Sequence, residues 1–247
     1  MRTERYGSED ICGIVRFSLR WWEHMATSSE RSKTPPPSKR LSPDGAVQSE
    51  KARLVLAGAR TVFLANGFSA ATTDMIQQAA GVSKSTVYSH YPNKETLFVA
   101  VVEAECEQFL RAVRKAKFPG KRLADILNAM ALAYLEIVLS PDGLALYRMI
   151  VAEAPRFPEL GRRFYLAGPA TINSIVAETL AIASSKGELD LGSVGLDSAA
   201  SLFVNMVRGE AQMQCLMHPD APASAAQRDR WAKDSVTTFM RAYGRDR

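Results

Sequence analysis

Cysteine and histidine are scarce in this chain of 247 residues, which contains three of each. Cys12, Cys106 and Cys215 lie far apart, and no Cys-x-x-Cys pair or Cys/His cluster occurs. An odd number of widely spaced cysteines excludes a disulfide framework, and the spacing does not match that of a zinc site. The sequence therefore predicts a reducing compartment, and we expect neither a metal nor another cofactor.

The motifs of common enzyme classes are also absent. The chain has no Gly-x-Ser-x-Gly turn, no glycine-rich phosphate loop, no His-Glu-x-x-His and no carboxylate pair that a pattern would place in one pocket. A nucleophile assembled from scattered Ser, His or Cys residues stays open as an alternative, because no spacing would reveal it. We expect a protein that is not an enzyme.

Long apolar runs without charge are lacking as well. No stretch reaches the roughly 18 residues that a membrane span needs. At the start of the chain, Arg16 and Arg20 interrupt the apolar part of residues 1–22, and acidic residues precede it, which is not the pattern of a signal peptide. We expect a cytoplasmic protein that does not associate with a membrane.

Charge of neither sign dominates the composition. Lys and Arg number 31 against 26 Asp and Glu, which gives a formal net charge of +5. A mild basic excess suits a polyanionic partner, but it is also common in proteins that bind none. Hydrophobic residues at 47% and charged residues at 23% are ordinary for a globular protein. Composition therefore permits nucleic-acid binding without requiring it.

Residues 1–46 differ from the remainder of the chain. The stretch 27–45 is rich in Ser, Pro, Lys and Arg and includes three consecutive prolines. Such a segment buries too little apolar surface to offset the entropy of ordering it, so we expect a disordered N-terminal arm over 1–46. Translation could begin at Met1 or at Met25, and N-terminal sequencing of the native protein would distinguish the two.

From residue 47 onward, the sequence predicts one helix after another. Apolar residues recur at helical spacing, and no run of alternating β-branched residues with hairpin turns occurs. Gly67 marks a helix end, and Gly168-Pro169 predicts a kink or split in a later helix. The expected fold class is all-α, with about nine helices near 48–66, 73–80, 84–90, 94–117, 121–139, 143–153, 157–186, 196–217 and 226–243.

The segment from Thr72 to Lys94 carries the most specific pattern. Thr72 can cap one short helix, and Gly81 provides a tight turn to a second. Ile76 and Val87 can pack between the two helices. That spacing is typical of a helix-turn-helix, whose second helix enters the major groove of DNA. Taken alone, the pattern also fits an ordinary pair of helices that carries a few polar residues.

This region resembles the DNA-binding domain of the TetR family of transcriptional regulators over about 50 residues. The resemblance is carried by Val62-Phe63, Gly67-Phe68, Thr72, Ile76, Ala80-Gly81-Val82-Ser83, Thr86-Val87-Tyr88, His90-Tyr91, Lys94-Glu95 and Leu97. Gln77 departs from the family, which usually has a small apolar residue there. Tyr91 takes the place of a core aromatic. Residues 144–169, LALYRMIVAEAPRFPELGRRFYLAGP, are similar to the AefR-like class of TetR C-terminal domains.

The resemblance implies a helix-turn-helix DNA-binding domain of three helices over 47–96 and a helical regulatory and dimerisation domain over 97–247. It implies a homodimer that binds a pseudo-palindromic operator in double-stranded DNA. The implied phosphate contacts are Thr72, Tyr88, His90 and Lys94. The implied base contacts are Ser83, Lys84, Ser85 and Thr86.

The resemblance also implies that helices near 121–186 surround a cavity for a small apolar or amphipathic effector. The candidate lining residues are Met130, Tyr134, Tyr147, Met149, Phe157, Phe164 and Asn205. Each of them fits plain core packing as well, since Met and aromatic residues at helical spacing are usually core. The last two helices carry more apolar residues than one helix face needs, and in the family this pair forms a four-helix bundle with a second copy.

The sequence thus predicts a transcriptional regulator that leaves its operator when an effector binds, with repression as the default in the family and activation as the alternative. An enzyme stays open as a second hypothesis. A third is a ligand-binding dimer that has lost DNA binding, against which stands the unbroken set of polar residues between Thr72 and Lys94.

Overall fold

The structure, a computed structural model, describes residues 43–115, 118 and 122–245. Apart from its last four residues, the predicted arm lies outside these ranges, and so does Met25. Within the described ranges the chain forms nine helices and no strand, which confirms the all-α prediction. They are α1 (Pro43–Ala70), α2 (Thr73–Ala80), α3 (Lys84–His90), α4 (Lys94–Lys115), α5 (Leu123–Val138), α6 (Pro141–Glu153), α7 (Pro158–Ser185), α8 (Leu196–Met217) and α9 (Ala225–Tyr243).

Two glycines shape helix α1. Gly67 breaks the helix with φ 74° and ψ 176°, a conformation that side chains with a Cβ avoid, and so the main segment ends where the sequence predicted. Gly58 lies against the end of α2, where an added Cβ would come within 2.6 Å of the backbone nitrogen of Ala80. The helix begins at Pro43 rather than at the predicted residue 48, since proline is compatible with the first turn of a helix.

Helix α7 changes its hydrogen-bonding pattern in the middle. Pro158–Tyr165 and Thr171–Ser185 are α-helical, and Leu166–Ala170 between them form a π-helical turn. Proline lacks an N–H group, so the interruption predicted at Gly168-Pro169 takes the form of a local widening. By length and composition α7 could also cross a bilayer, contrary to the expectation that no such stretch exists. Here it packs along α8, and its π turn contacts α4.

The buried apolar residues form two clusters. The first joins α1 to α4 around Phe63, Phe68 and Phe98, and residues of α6 and α7 such as Ile150 and Leu160 complete it. The second joins α5, α7, α8 and α9 and includes Leu127, Leu135, Leu180, Phe203 and Phe239. We refer to them as the head cluster and the bundle cluster.

The described residues from Val47 onward belong to one compact unit. The division predicted between residues 96 and 97 falls inside α4, and Leu97, Phe98 and Val101, just beyond it, are buried in the head cluster. Helices α1 to α3 with the start of α4, here called the head, therefore share their core with helices of the predicted regulatory half.

Candidate functional site

Two short helices of the head, α2 and α3, are each capped by the side chain that precedes them. Thr72 precedes α2, and its Oγ1 accepts a hydrogen bond from the backbone N–H of Met75 at 3.2 Å. Ser83 precedes α3, and its Oγ accepts from the N–H of Thr86 at 3.2 Å. Such caps satisfy N–H groups that the first helical turn leaves unpaired, so local sequence determines where both helices start.

Gly81 forms the turn between α2 and α3. Its backbone is left-handed, with φ 64° and ψ 31°, and its N–H donates to the carbonyl of Gln78 at 3.2 Å, which ends α2. Ile76 and Val87 are buried in the head cluster, as the sequence predicted. Tyr91 packs half-buried against the same cluster, and burial raises the pKa of its phenol. The two helices therefore meet through their apolar faces.

The opposite face of α3 is polar. Lys84 Nζ donates to Asp74 Oδ1 of α2 at 2.9 Å, and this hydrogen bond is the main reason that the pKa of Lys84 is raised. The hydroxyl of Tyr88 lies 3.5 Å from Oγ1 of Thr73. The predicted base and phosphate contacts that share this ridge, exposed or partly exposed, are Ser83, Lys84, Ser85, Thr86, Tyr88 and His90. Hydroxyl, imidazole and ammonium groups on the exposed side of a short helix can bond to phosphates and base edges.

The side chain of Lys94, a predicted phosphate contact, is bonded within the protein. Its Nζ donates to the backbone oxygens of Phe68, Ser69 and Ala71 at 3.0, 3.5 and 2.9 Å, and it lies 4.5 Å from the centre of the Phe68 ring. An ammonium group has three donors, so these acceptors occupy all of them. The side chain stabilises the connection between α1 and α2, and the backbone N–H at the start of α4 is the group of Lys94 that can face a phosphate.

A cluster of aromatic rings joins the head to the segment between α6 and α7. The ring centre of Phe157 lies 5.3 Å from that of Phe68 and 5.6 Å from that of Phe98. Arg156 stacks on Phe68 at 4.8 Å. Phe157 was expected to line a ligand cavity, as was Met149, but both pack in the head cluster. Their positions link the predicted regulatory half to the head.

A cavity of about 390 Å³ lies among helices α1 and α4 to α8. Three residues that line this cavity were predicted from the sequence as ligand contacts: Tyr134, Tyr147 and Phe164. The π turn of α7 contributes Gly168 and Pro169 to its wall. Its volume falls in the range of sites that enclose a small molecule.

Two further candidates lie elsewhere. Met130 borders a smaller apolar cavity of about 80 Å³, which shares Tyr134 with the larger one. Asn205 is exposed on α8, and its Nδ2 donates to the carbonyl of Ser201 at 2.8 Å. Asn205, a predicted cavity residue, borders neither of these two cavities.

Sequence patterns missed a charged cluster in the cavity wall. Arg60 of α1 donates through Nε and Nη2 to the two oxygens of Glu105 on α4 at 2.6 and 3.0 Å, and through Nη2 to Asp142 of α6 at 2.7 Å. The hydrogen bonds to Glu105 are the largest cause of the raised pKa of Arg60. This cluster connects a helix of the head to two helices of the cavity. The position of Arg60 beside the buried stripe of α1 was the sequence signal for it.

The sequence analysis also missed the polar residues of α8 in this wall, Arg208 and Gln212. They are four residues apart and so share one face of the helix. Their spacing of four residues was a signal that could have found them. Cys106 borders the cavity as well, where burial, with Glu103 and Glu105, raises the pKa of its thiol to about 11 and keeps it protonated.

Another face of α8 is apolar and uncovered. Leu202, Met206, Met213 and Met217 are exposed there, and Met217 is 65% accessible to solvent. They recur at intervals of four, seven and four residues, which places them on a single stripe. A stripe of large apolar side chains at the surface is typical of an interaction site.

Two sequence families match this chain. The family described as bacterial regulatory proteins, tetR family, matches residues 55–101. The family described as AefR-like transcriptional repressor, C-terminal domain, matches residues 125–245. The first match covers the helix-turn-helix, and the second covers α6 to α9 and most of α5.

Similar proteins include regulators of known structure. A TetR-family regulator from Mesorhizobium loti shares 27% identity at a TM-score of 0.69, over 80% of this chain and 98% of the other. The flavonoid-responsive regulator FrrA shares 30% identity at a TM-score of 0.62, over 81% of this chain and all of FrrA. The transcriptional activator FasR of Mycolicibacterium smegmatis is 35% identical over 69 residues, 28% of this chain and 32% of FasR.

Proposed function

The chain belongs to the TetR family of bacterial transcriptional regulators, and from that membership we propose that it binds operator DNA as a homodimer and is released by a small-molecule effector. The observation that carries the proposal is the α2–α3 pair. Both helices are capped and packed through apolar faces, which leaves a polar ridge on α3 free to enter a major groove.

We assign the ridge residues by where they lie on α3. Ser83, Lys84, Ser85 and Thr86 form its N-terminal end, the part of a recognition helix that contacts base edges. The proposed phosphate contacts are Thr72, Tyr88, His90 and the backbone N–H of Lys94. Binding requires that Lys84 exchange its exposed bond to Asp74 for a bond to DNA. An exposed ion pair of this kind is weak, so the exchange is feasible.

The exposed stripe of α8 supports the homodimer. Two copies related by a two-fold axis would bury Leu202, Met206 and Met213 against each other, in the kind of self-complementary contact that most dimers use. Such a pair would hold two α3 helices so that they reach half-sites about 34–36 Å apart, and the operator would be a pseudo-palindrome.

The cavity supports an effector, since it is of the right size and touches helices of both the head and the predicted regulatory half. An effector acts only through its preference for one conformation, here one whose two α3 helices are wrongly spaced for adjacent major grooves. FrrA, whose description says it responds to flavonoids, is a precedent in the family. We propose repression, in line with the family description matched by residues 125–245, although FasR is an activator.

We place this regulator in the cytoplasm, where operator DNA is found, and we assign it no catalytic activity and no association with a membrane. Helix α7 is apolar enough to be a span by composition alone. Its π turn borders the cavity, which suits a helix of a ligand-binding domain.

The test is binding of the full chain to fragments of its own promoter region, measured by gel shift between 50 and 200 mM salt. We expect affinity to fall steeply with salt, because neutralised phosphates release counterions. Lys84→Ala and His90→Ala should each lower the affinity about tenfold, as loss of one charged or polar DNA contact does. Arg111→Ala, an exposed cation on α4, is the matched control and should leave it unchanged.

The dimer is tested separately by sedimentation. Met213→Asp should convert the protein to monomers, since it places a charge in the middle of the stripe. A wild-type chain that is strictly monomeric, or that ignores its promoter region at low salt, would contradict the proposal.

A further inference from the structure

Some polar groups in the wall of the cavity already have hydrogen-bond partners within the protein. Arg60 is bonded to both oxygens of Glu105 and to one oxygen of Asp142, so its own charge is already paired, and one positive group against two negative groups leaves the cluster with a net negative charge. That unbalanced charge lies toward solvent, since the side chain of Asp142 is 58% exposed and that of Glu105 is 11% exposed. Ser140 is likewise satisfied, because its hydroxyl donates to Ile137 and accepts from Gly143. Recognition of an effector must therefore use other groups in the wall.

The α8 side of the cavity contains polar groups with spare hydrogen-bonding capacity. Arg208 has no carboxylate partner among the described residues; it donates to the amide oxygen of Asn205 at 3.3 Å and also interacts by a hydrogen bond with the hydroxyl of Tyr134. Gln212, one turn later, is 7% exposed, borders the cavity and makes no side-chain hydrogen bond within the described part of the chain. Its amide atoms are not among the fully buried polar atoms that lack a partner in the described residues, so they face the open space of the cavity, where a bound molecule can complete their hydrogen bonds.

Two phenols lie on the same side of the cavity. Tyr134 is buried next to Arg208 and Tyr147, and burial raises its pKa although Arg208 acts in the opposite direction. Its hydroxyl therefore stays protonated and can donate a hydrogen bond. Arg208, Gln212, Tyr134 and Tyr147 together offer mainly donors, with a positive charge among them.

The remaining charge in the wall is Glu136, which is exposed to solvent. It lies two residues after Tyr134 on α5 and so projects from a different side of that helix. Exposure screens its charge, whereas the charge of Arg208 acts within a partly buried wall. The unbalanced carboxylates of the wall, Asp142 and Glu136, are thus exposed and belong to α6 and α5, and Arg208 on α8 is the charge with which a bound anion can pair.

Apart from the exposed Gln108 and the thiol of Cys106, the rest of the wall is apolar. Phe109, Leu146, Phe164 and Pro169 face the space beyond the polar groups. A molecule with one polar end and an apolar body would satisfy both parts of the wall at once, and apolar walls with a few convergent polar groups are typical of small-molecule sites.

From this arrangement we propose that the effector is an amphipathic anion, a carboxylate on an apolar body, and that Arg208 and Gln212 bind its charged end. The inference rests on the proposed ligand-responsive function and specifies the chemical class that the function leaves open. The charged end of the effector would then contact α8, the helix whose other face contains the exposed apolar stripe.

The experiment compares ligands that differ only in the polar end. Decanoate, decan-1-ol and decylamine, and naphthalene-2-acetate with its matched alcohol and amine, are titrated into the full chain by calorimetry. We expect at least one acid to bind at least tenfold more tightly than its alcohol and amine, since charge-assisted hydrogen bonds are about twice as strong as neutral ones.

Variants then locate the charged end. Arg208→Met keeps the side-chain length and removes the charge, and it should weaken the acid about 10- to 100-fold while changing the alcohol less than threefold. Gln212→Met should weaken the acid about tenfold, and Arg208→Lys should recover part of the loss. Arg148→Met, an exposed arginine of α6 that does not border the cavity, is the matched control and should bind like wild type.

Tightest binding of the amines, equal binding of acid and alcohol, no binding of any acid, or an unchanged acid affinity in Arg208→Met would each overturn the inference. The gel shift on the same preparations separates this outcome from failure of the proposed function. If the protein binds its promoter but prefers ligands with another polar end, only the proposal of an anionic effector is wrong. If the protein binds no DNA, the proposed function as a regulator is wrong.

Discussion

The head and the cavity differ in how their functional residues are brought together. The ridge of α3 is built from consecutive residues whose orientation follows from one turn at Gly81 and two caps, Thr72 and Ser83. The cavity takes its wall from six helices, and residues far apart in sequence meet in it, as the bond from Arg60 to Asp142 illustrates. A local site can be recognised from sequence order, and a convergent one only from packing.

The two regions are nevertheless joined. The head cluster includes Ile150 and Leu160 of α6 and α7, and Phe157 stacks on rings of α1 and α4. A change around the cavity therefore has direct contacts through which to move the head. Two predictions test how far the two regions behave as one body, and a third compares two lysines within the head.

The largest effect is expected from removing a buried ring. Phe98→Ala in the head cluster and Phe239→Ala in the bundle cluster each delete a fully buried side chain, which costs about 3–5 kcal/mol of unfolding free energy. Because residues of both regions complete the head cluster, we expect both variants to lower the same single unfolding transition in calorimetry. Two transitions, with only one shifted in each variant, would show that the regions unfold separately.

A smaller effect is expected from the charged cluster in the cavity wall. Arg60→Met leaves Glu105, whose side chain is 11% exposed, without its partner, and we expect a loss of about 1–2 kcal/mol of unfolding free energy, reduced by the exposure of Arg60 itself. The same variant should weaken the effect of an effector on operator binding, since α1 loses its bonds to α4 and α6.

Arg122→Met, an exposed cation at the start of α5, serves as the control for Arg60→Met. Chemical denaturation gives the stability, and gel shifts with and without ligand give the coupling. If the Arg60 variant keeps full stability and an undiminished ligand response, the cluster has no part in connecting head and cavity.

The smallest effect is expected from two lysines of the head that have different surroundings. Lys94→Met removes the donor to three backbone oxygens and should cost about 1 kcal/mol of unfolding free energy. Lys84→Met removes only an exposed pair with Asp74, so it should leave the melting temperature unchanged while lowering operator affinity about tenfold. The opposite pattern in melting and gel-shift data would reverse the roles assigned to these side chains.

Prediction from sequence succeeded where a single element determines its own structure. Helix bounds such as 73–80 and 84–90 agree with the structure because caps and a glycine turn define them. Prediction was least specific where an aromatic or methionine side chain could pack in either of two places. Phe157 is of a residue type that often lines cavities, yet its position after α6 brings its ring against that of Phe68 in the head.

The contacts of charged and polar side chains were equally hard to predict from the sequence. Lys94 is recognisable as a member of the helix-turn-helix pattern, but its direction depends on the carbonyl oxygens at the end of α1, more than twenty residues earlier. Gln212 and Arg208 are recognisable as two polar residues on one helix face, but whether that face meets solvent, a second copy or a cavity depends on the packing of α5 and α6 against α8.

By itself, the amino-acid order determined the helices, their ends and the polar ridge of α3, because hydrogen bonds between near neighbours and 3.6-residue periodicity act within one segment. Tertiary structure alone decided which helices enclose the cavity and which charges compensate each other there. The physical reason is that burial and ion pairing depend on distances between segments, and no local pattern encodes those distances.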